Sequence, residues 1–318
     1  MPLPAKVKPG DIVLSRGTGW ISQAICLLDG SEVSHAALAL EADRVAEAVG
    51  EGLRTINGDE VMKDHDLMVA RTLAAPADMA PVIGVGNTYL RRGAKYAHQQ
   101  VVLLAVLCVS RRIPLPRGGK QMVRTVLDQA AAAVNTMLER GQQPMICSEF
   151  VYRCYSEAQP HAPYTLRIGQ EQEVQGDGTL LDWARTHPAL SALRPPQPTA
   201  GFATAAAETA LAPLVSAYAA ATGQAAPLPK VPLTAGLPDP SDEELLSSMT
   251  SFGAALHKAR TGPDGAATSE QALDAIRAKH AEPNFVTPGD LLRTASLGQV
   301  HRQSAPSTPL RGASALSG

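Results

Sequence analysis

Along the first 190 residues, short apolar runs come first and longer helical repeats follow, which predicts strands and then helices. Pro9-Gly10-Asp11 reads as a turn, glycine supplying a positive φ, ahead of a short apolar strand at residues 12–14. Trp20, Ile21, Ala24, Ile25 and Leu28 recur at helical spacing, so a helix over 19–28 is expected, ended by Asp29-Gly30. Residues 35–40 and 44–49 are two β-like runs separated by Glu41-Ala42-Asp43, the pattern of a hairpin. A third strand is expected at 67–71. Helical periodicity then covers 80–92, 98–111 and 121–140, and a further helix begins at Cys147.

Beyond residue 190 the pattern breaks. Residues 195–240 hold nine prolines and three charges, Glu208, Lys230 and Asp239, a proline density that prevents long regular elements. This stretch reads as a linker or insertion with one short Ala-rich helix at 204–212. Ser241-Asp242-Glu243-Glu244 is a capping box, and Leu245, Met249, Phe252 and Leu256 form the apolar stripe of the helix behind it. A second helix is expected over 270–280, stopping before Pro283. Thr287-Pro288-Gly289-Asp290-Leu291 echoes Lys8-Pro9-Gly10-Asp11-Ile12, but Pro-Gly-Asp is a common turn, and the two read as independent turns. The Ser/Pro/Gly-rich residues 301–318 read as a disordered tail.

Composition narrows the function classes. Charged residues are 18% of the 318, aromatics 4%, and the net charge is −2, which argues against a dedicated nucleic-acid binder. The longest apolar run, 101–109, falls far short of the roughly 18–20 residues of a membrane span. Met1-Pro2-Leu3-Pro4 lacks the layout of a signal peptide, so the expectation is a cytoplasmic protein, or export by a route that needs no N-terminal signal. No HExxH occurs and the histidines are scattered, so neither metal nor cofactor is expected. Four cysteines, Cys26, Cys108, Cys147 and Cys154, show no CxxC pair.

Cys147 differs from the other three. Phe150, Val151, Cys154 and Tyr155 follow it by three, four, seven and eight residues, which puts Cys147 in the first helical turn on the buried stripe. Free amides and the positive end of the helix dipole favour a thiolate there. The bland alternative is a small apolar side chain filling a core gap, the reading that fits Cys26, Cys108 and Cys154. A thiolate enzyme also needs a base. His35 opens a strand, and a three-residue turn at 41–43 would pair Leu40 with Arg44, Ala37 with Glu47 and His35 with Val49. His35 and Glu47 are then diagonal neighbours, about 7–8 Å apart at the backbone and within side-chain reach. Such a carboxylate could orient the imidazole toward a thiol, although spacing alone leaves open a structural histidine and a solvated glutamate.

Gly10-Asp11-Ile12-Val13-Leu14, Val33-Ser34-His35-Ala36-Ala37-Leu38, Glu47-Ala48, Gly93-Ala94-Lys95-Tyr96 and Ile146-Cys147-Ser148-Glu149-Phe150-Val151, in that order, resemble the circularly permuted NlpC/P60 papain-like hydrolases of the YiiX/YebB type. Thr287-Pro288-Gly289-Asp290-Leu291 resembles the closing segment of the same family. The histidine precedes the cysteine, as the permuted group requires. The resemblance implies an α+β papain-like fold, a small antiparallel sheet packed on helices, with a helical Pro/Ala-rich insertion. It implies a catalytic domain over 1–190, a linker and helical insertion over 191–283 and a closing segment over 284–300. It also implies Cys147 as nucleophile, His35 as base and Glu47 as the third residue, with Ser34, Tyr96 and Ser148 near the substrate. Related lecithin:retinol acyltransferase-like enzymes place a histidine where this chain has Glu47. The Tyr-Asp pair expected in the YiiX-like pattern reads Tyr96-Ala97, and 161–283 has no counterpart. The expected activity is thiol-dependent hydrolysis or acyl transfer at an amide or ester carbonyl, foremost as an amidase or peptidase. Peptidoglycan peptides and lipid acyl esters are the two substrate classes. A catalytically silent interaction module is the competing reading.

Overall fold

The computed structural model describes residues 3–49, 52–63, 65–93, 96–97, 100–111, 119–168, 178–193, 239–262 and 267–304. The chain runs β1 (Ile12–Gly17), α1 (Trp20–Leu28), β2 (His35–Ala39), β3 (Arg44–Val49), β4 (Gly52–Asn57) and β5 (His65–Leu73). It continues through α2 (Ala80–Arg91), β6 (Tyr96–Ala97), α3 (Gln100–Ser110), α4 (Gly119–Glu139), β7 (Gln143–Pro144), α5 (Cys147–Ser156) and α6 (Leu180–Thr186). After the Pro-rich stretch come α7 (Asp242–Thr261), α8 (Ser269–His280), α9 (Pro288–Arg293) and β8 (Leu297–Ser304). The fold is α+β. Six strands form an antiparallel sheet in the order β4-β3-β2-β1-β5-β8, and the helices pack against it.

Alternation along the strands sorts side chains between two faces. Ile12, Leu14, Ala36, Leu38, Ala46, Leu67 and Val69 join the large core shared with the helices. Val13, Ala37, Ala39, Val45, Met68 and Ala70 form a smaller core on the other face, covered by Leu3, Val7 and Val61. Helix α3 is apolar all round and buried from Val101 to Ser110, as expected of a helix at the centre of its layer. Its neighbours are α1 and α4, and α7 packs on α4. The capping boxes at Ser241 and Thr268 start α7 and α8, each hydroxyl accepting an amide three residues on. The short helix expected at 204–212 lies outside the described residues.

The two Pro-Gly-Asp segments adopt different structures. Gly10 has φ of 91° in the turn before β1, and a Cβ there would collide with Met79. Thr287-Pro288-Gly289-Asp290 instead opens α9, Thr287 capping Asp290. Residues 301–304, expected in the tail, belong to β8, because β5 offers them a free edge. Residues 305–318 lie outside the described residues. Arg71 of β5 ties this closing segment down, donating to the carbonyls of Thr294 (3.0 Å) and Leu297.

Candidate active site

The hairpin expected from residues 35–49 forms in the expected register. Ala37 pairs with Glu47, Leu38 with Ala46 and Ala39 with Val45, and the Leu40 amide donates to Arg44 across the turn. The diagonal is therefore made. His35 Nε2 lies 2.9 Å from Glu47 Oε2, with both side chains buried. Glu47 also faces Arg54 directly across β3 and β4, and Arg54 Nε donates to Glu47 Oε1 at 2.9 Å. Each carboxylate oxygen thus has its own cationic partner. Arg54 escapes sequence reasoning because it sits on β4, an edge strand without an apolar alternation.

Helix α5 starts where Ile146, in extended conformation, hands over to Cys147. The Glu149 carboxylate returns to accept the Ile146 amide at 3.3 Å, so the first turn is closed one residue before the thiol. The helix packs on β2 and β3, and Cys147 is hydrogen-bonded to the His35 ring. Since Nε2 is engaged by Glu47, Nδ1 is the nitrogen left for sulfur. Burial opposes an imidazolium at His35, but the charge and hydrogen bond of Cys147, followed by those of Glu47, push its pKa up to about 10. Burial would likewise raise Glu47, yet His35 and then Arg54 hold it down at about 2. His35 thus stands between Cys147 and Glu47, touching both. At the other cysteines burial prevails. Cys26 and Cys108 are pushed up to about 12, and Cys154 well above the ordinary range, which leaves them as unreactive thiols.

A cavity of about 820 Å³ opens beside His35 and Glu47. Thr18, Ser22, Lys63, His65 and Gln129 supply polar groups to its wall, with Arg54 at the β4 side. His65, from the start of β5, brings its ring to 6.2 Å from that of His35. No motif in the sequence marks it. Cys147 itself has 0% of its surface exposed and His35 has 6%; of the two, only His35 lines the cavity.

The residues expected near the substrate fare differently. Ser34 is fully buried, its hydroxyl accepting from the Gly17 amide at 3.4 Å and bonded to the Cys26 thiol. Ser148 is fully buried too, its hydroxyl donating to the Val286 carbonyl. Both hydroxyls are committed to holding the scaffold, and neither residue lines the cavity. Tyr96 lies in β6, paired with Gln143 of β7, and its side chain lies outside the described residues. Among the described residues no helix is long and apolar enough to cross a membrane.

This chain is similar in sequence to the "Probable lipoprotein peptidase YaeF" of Escherichia coli (strain K12). The two are 28% identical over 158 residues, 48% of this chain and 56% of the other, so the chain spans about half the length of the curated relative it matches. No family model and no solved structure matches.

The role of Glu47 is open to a direct test. Glu47→Gln keeps an acceptor for Nε2–H but removes the charge that helps hold the imidazolium. Turnover should fall by about 10–100-fold. Because Glu47 raises the His35 pKa, the alkaline limb of the pH–rate profile should move to lower pH, as a pH series on both proteins would read.

Proposed function

We propose that the protein is a thiol-dependent hydrolase that cleaves an amide bond through Cys147, His35 and Glu47. The observation that carries this reading is the contact chain from Cys147, at the start of α5, through the two nitrogens of His35 to Glu47. The peptidase description of the sequence relative supports the hydrolase class. In this reading Cys147 Sγ attacks the carbonyl carbon, and the His35 Nδ1 proton passes to the leaving nitrogen as the carbon–nitrogen bond breaks. Water, deprotonated by His35, then attacks the thioester, releasing the acid and restoring the thiol pair. Free amides at the start of α5 would stabilise the oxyanion. Residues 1–190 and 284–300 would form the catalytic domain and 191–283 the insertion, with histidine ahead of cysteine in the permuted order.

An amide fits this site better than a lipid ester. The apolar helix α3 is core from Val102 onward and gives the cavity only Gln100 and Val101, and that cavity carries polar groups on several sides. Incubation with acylated peptides, cell-wall peptides and phospholipids, followed by mass spectrometry of the products, tests the assignment. Peptide cleavage that disappears in Cys147→Ala is the expected result. Fatty-acid release with every peptide intact would turn the reading to acyl-ester hydrolysis. No product and no acyl-thioester from any substrate would leave a silent interaction module.

A further inference from the structure

Helix α8 lies in the stretch with no counterpart in the family that the sequence resembles, yet it delivers a buried lysine to the helix that carries Cys147. Lys279 is only 8% exposed. Its ammonium donates to Glu149 Oε2 at 3.2 Å and to Glu282 at 2.7 Å. The other Glu149 oxygen takes Arg153 in two hydrogen bonds, from Nε at 3.1 Å and from the terminal guanidinium nitrogen at 2.8 Å. Glu149 Oε2 also accepts the Ile146 amide, so this carboxylate sits at the very end of α5, against the residue preceding the nucleophile.

A bare carboxylate is out of place there. It caps the helix well, but it sets a negative charge beside a thiol that must ionise, and like charges oppose ionisation. Two bases, Arg153 and Lys279, offset this charge: Lys279 faces Glu149 and Glu282, and Arg153 faces Glu149 and, at 3.9 Å, Glu157, which also accepts from the Tyr89 hydroxyl. We propose that Lys279 is a positioning residue, which neutralises the capping carboxylate so that Glu149 can close the first turn of α5 without opposing the Cys147 thiolate. The inference rests on the assignment of Cys147 as nucleophile. The other charges around α5 are committed elsewhere. His35, backed by Glu47, serves the thiol directly, His65 lies beyond the His35 ring, and on α9 Asp290 accepts from Arg293, which also reaches Asp29.

The sign of each substitution follows from the change in charge. Lys279→Met removes one positive charge from the cluster, which should raise the apparent thiol pKa by about one unit. Glu149→Gln removes one negative charge and should lower it by a comparable amount. The double variant Glu149→Gln/Lys279→Met restores the wild-type net charge, and the titration should return to the wild-type midpoint. The ultraviolet absorbance of the thiolate, followed against pH with Cys147→Ala as the blank, reads this directly. Burial keeps the other three thiols protonated through the neutral range, so they do not contribute. Opposite shifts in the single variants and recovery in the double variant support the proposal. Folded single variants whose midpoints stay at the wild-type value overturn it and leave Lys279 a structural anchor. Should Lys279→Met not fold, the downward shift in Glu149→Gln decides alone. A wild type with no Cys147 thiolate signal near neutral pH would instead overturn the functional reading itself.

Discussion

Cys147→Ala and His35→Ala are each expected to lower turnover by about 10³-fold or more, and the double variant is expected to lose little beyond either one. In the proposed mechanism the three buried groups act as one device. There Cys147 supplies the attacking sulfur, and without it His35 has no nucleophile to activate. Without His35 the thiol loses both its proton acceptor and the cation whose charge favours the thiolate. Losses that multiplied in the double variant would mean that the two residues work independently, and the shared mechanism would fall. Initial rates on the cleaved peptide measure this. A melting curve for each variant is needed beside them, because His35→Ala leaves Glu47 buried with Arg54 as its remaining partner, a change that costs about 1–3 kcal/mol. His35→Gln keeps a polar group toward Glu47 and should be nearly as inactive while melting closer to the wild type. Alkylation rates add a second readout. Wild-type Cys147 should react near neutral pH, whereas in His35→Ala reaction should require alkaline pH.

The central strands and every long helix are legible in the sequence because burial imposes a pattern. β1, β2, β3 and β5 occupy the middle of the sheet, where both faces are covered, and their apolar content is correspondingly dense. The missed strands of the large sheet, β4 and β8, are its edges, and the two-residue pair β6 and β7 is too short to show a pattern. Gly52–Asn57 and Leu297–Ser304 each keep much of their length exposed, and with it polar side chains that no alternation rule selects. The site divides in the same way. His35 and Glu47 could be brought together on paper because a three-residue turn fixes the hairpin register, and Cys147 could be singled out because a helix start is a local signal. Arg54 and His65 depend on strand neighbours that are distant or unpredicted, and Lys279 reaches Glu149 across 130 residues. Ser34 and Ser148, which the family resemblance implies near the substrate, direct their hydroxyls into the scaffold, because successive residues on a strand or helix point in different directions.

Asp29→Ala is expected to lower stability by about 2–4 kcal/mol, a drop in melting temperature of roughly 5–10 °C. The Asp29 side chain is fully enclosed and receives the Thr287 hydroxyl at 2.8 Å and the Gly289 amide at 2.9 Å, with Arg293 at 3.5 Å and Arg111 at 3.9 Å. Removing the carboxylate strands two buried donors and takes an acid away from beside Arg293 and Arg111. No side chain can be added at the other end of this contact, since a Cβ on Gly289 would stand 2.4 Å from Asp29 Oδ2. The native protein should also carry a pH signature here. Burial, reinforced by the charge of Asp290 and resisted by Arg293, Thr287 and Gly289, pushes the Asp29 carboxyl up to about 6. The folded state then binds this proton more tightly than the unfolded chain, so Asp29's contribution falls as pH rises from about 4 to about 6 and is constant above that. Asp29→Asn should flatten that segment of the stability profile, and a variant whose profile keeps the wild-type slope would show that another group titrates there. The consequence extends to the proposed active site. Asp29 fixes the start of α9, and the residue just before its cap, Val286, accepts the Ser148 hydroxyl from the first turn of α5. A loosened Thr287–Asp29 contact therefore frees one restraint on the helix that positions Cys147. Asp29→Ala should lose activity at temperatures well below its own melting transition, and rates measured across that range separate this loss of positioning from simple unfolding.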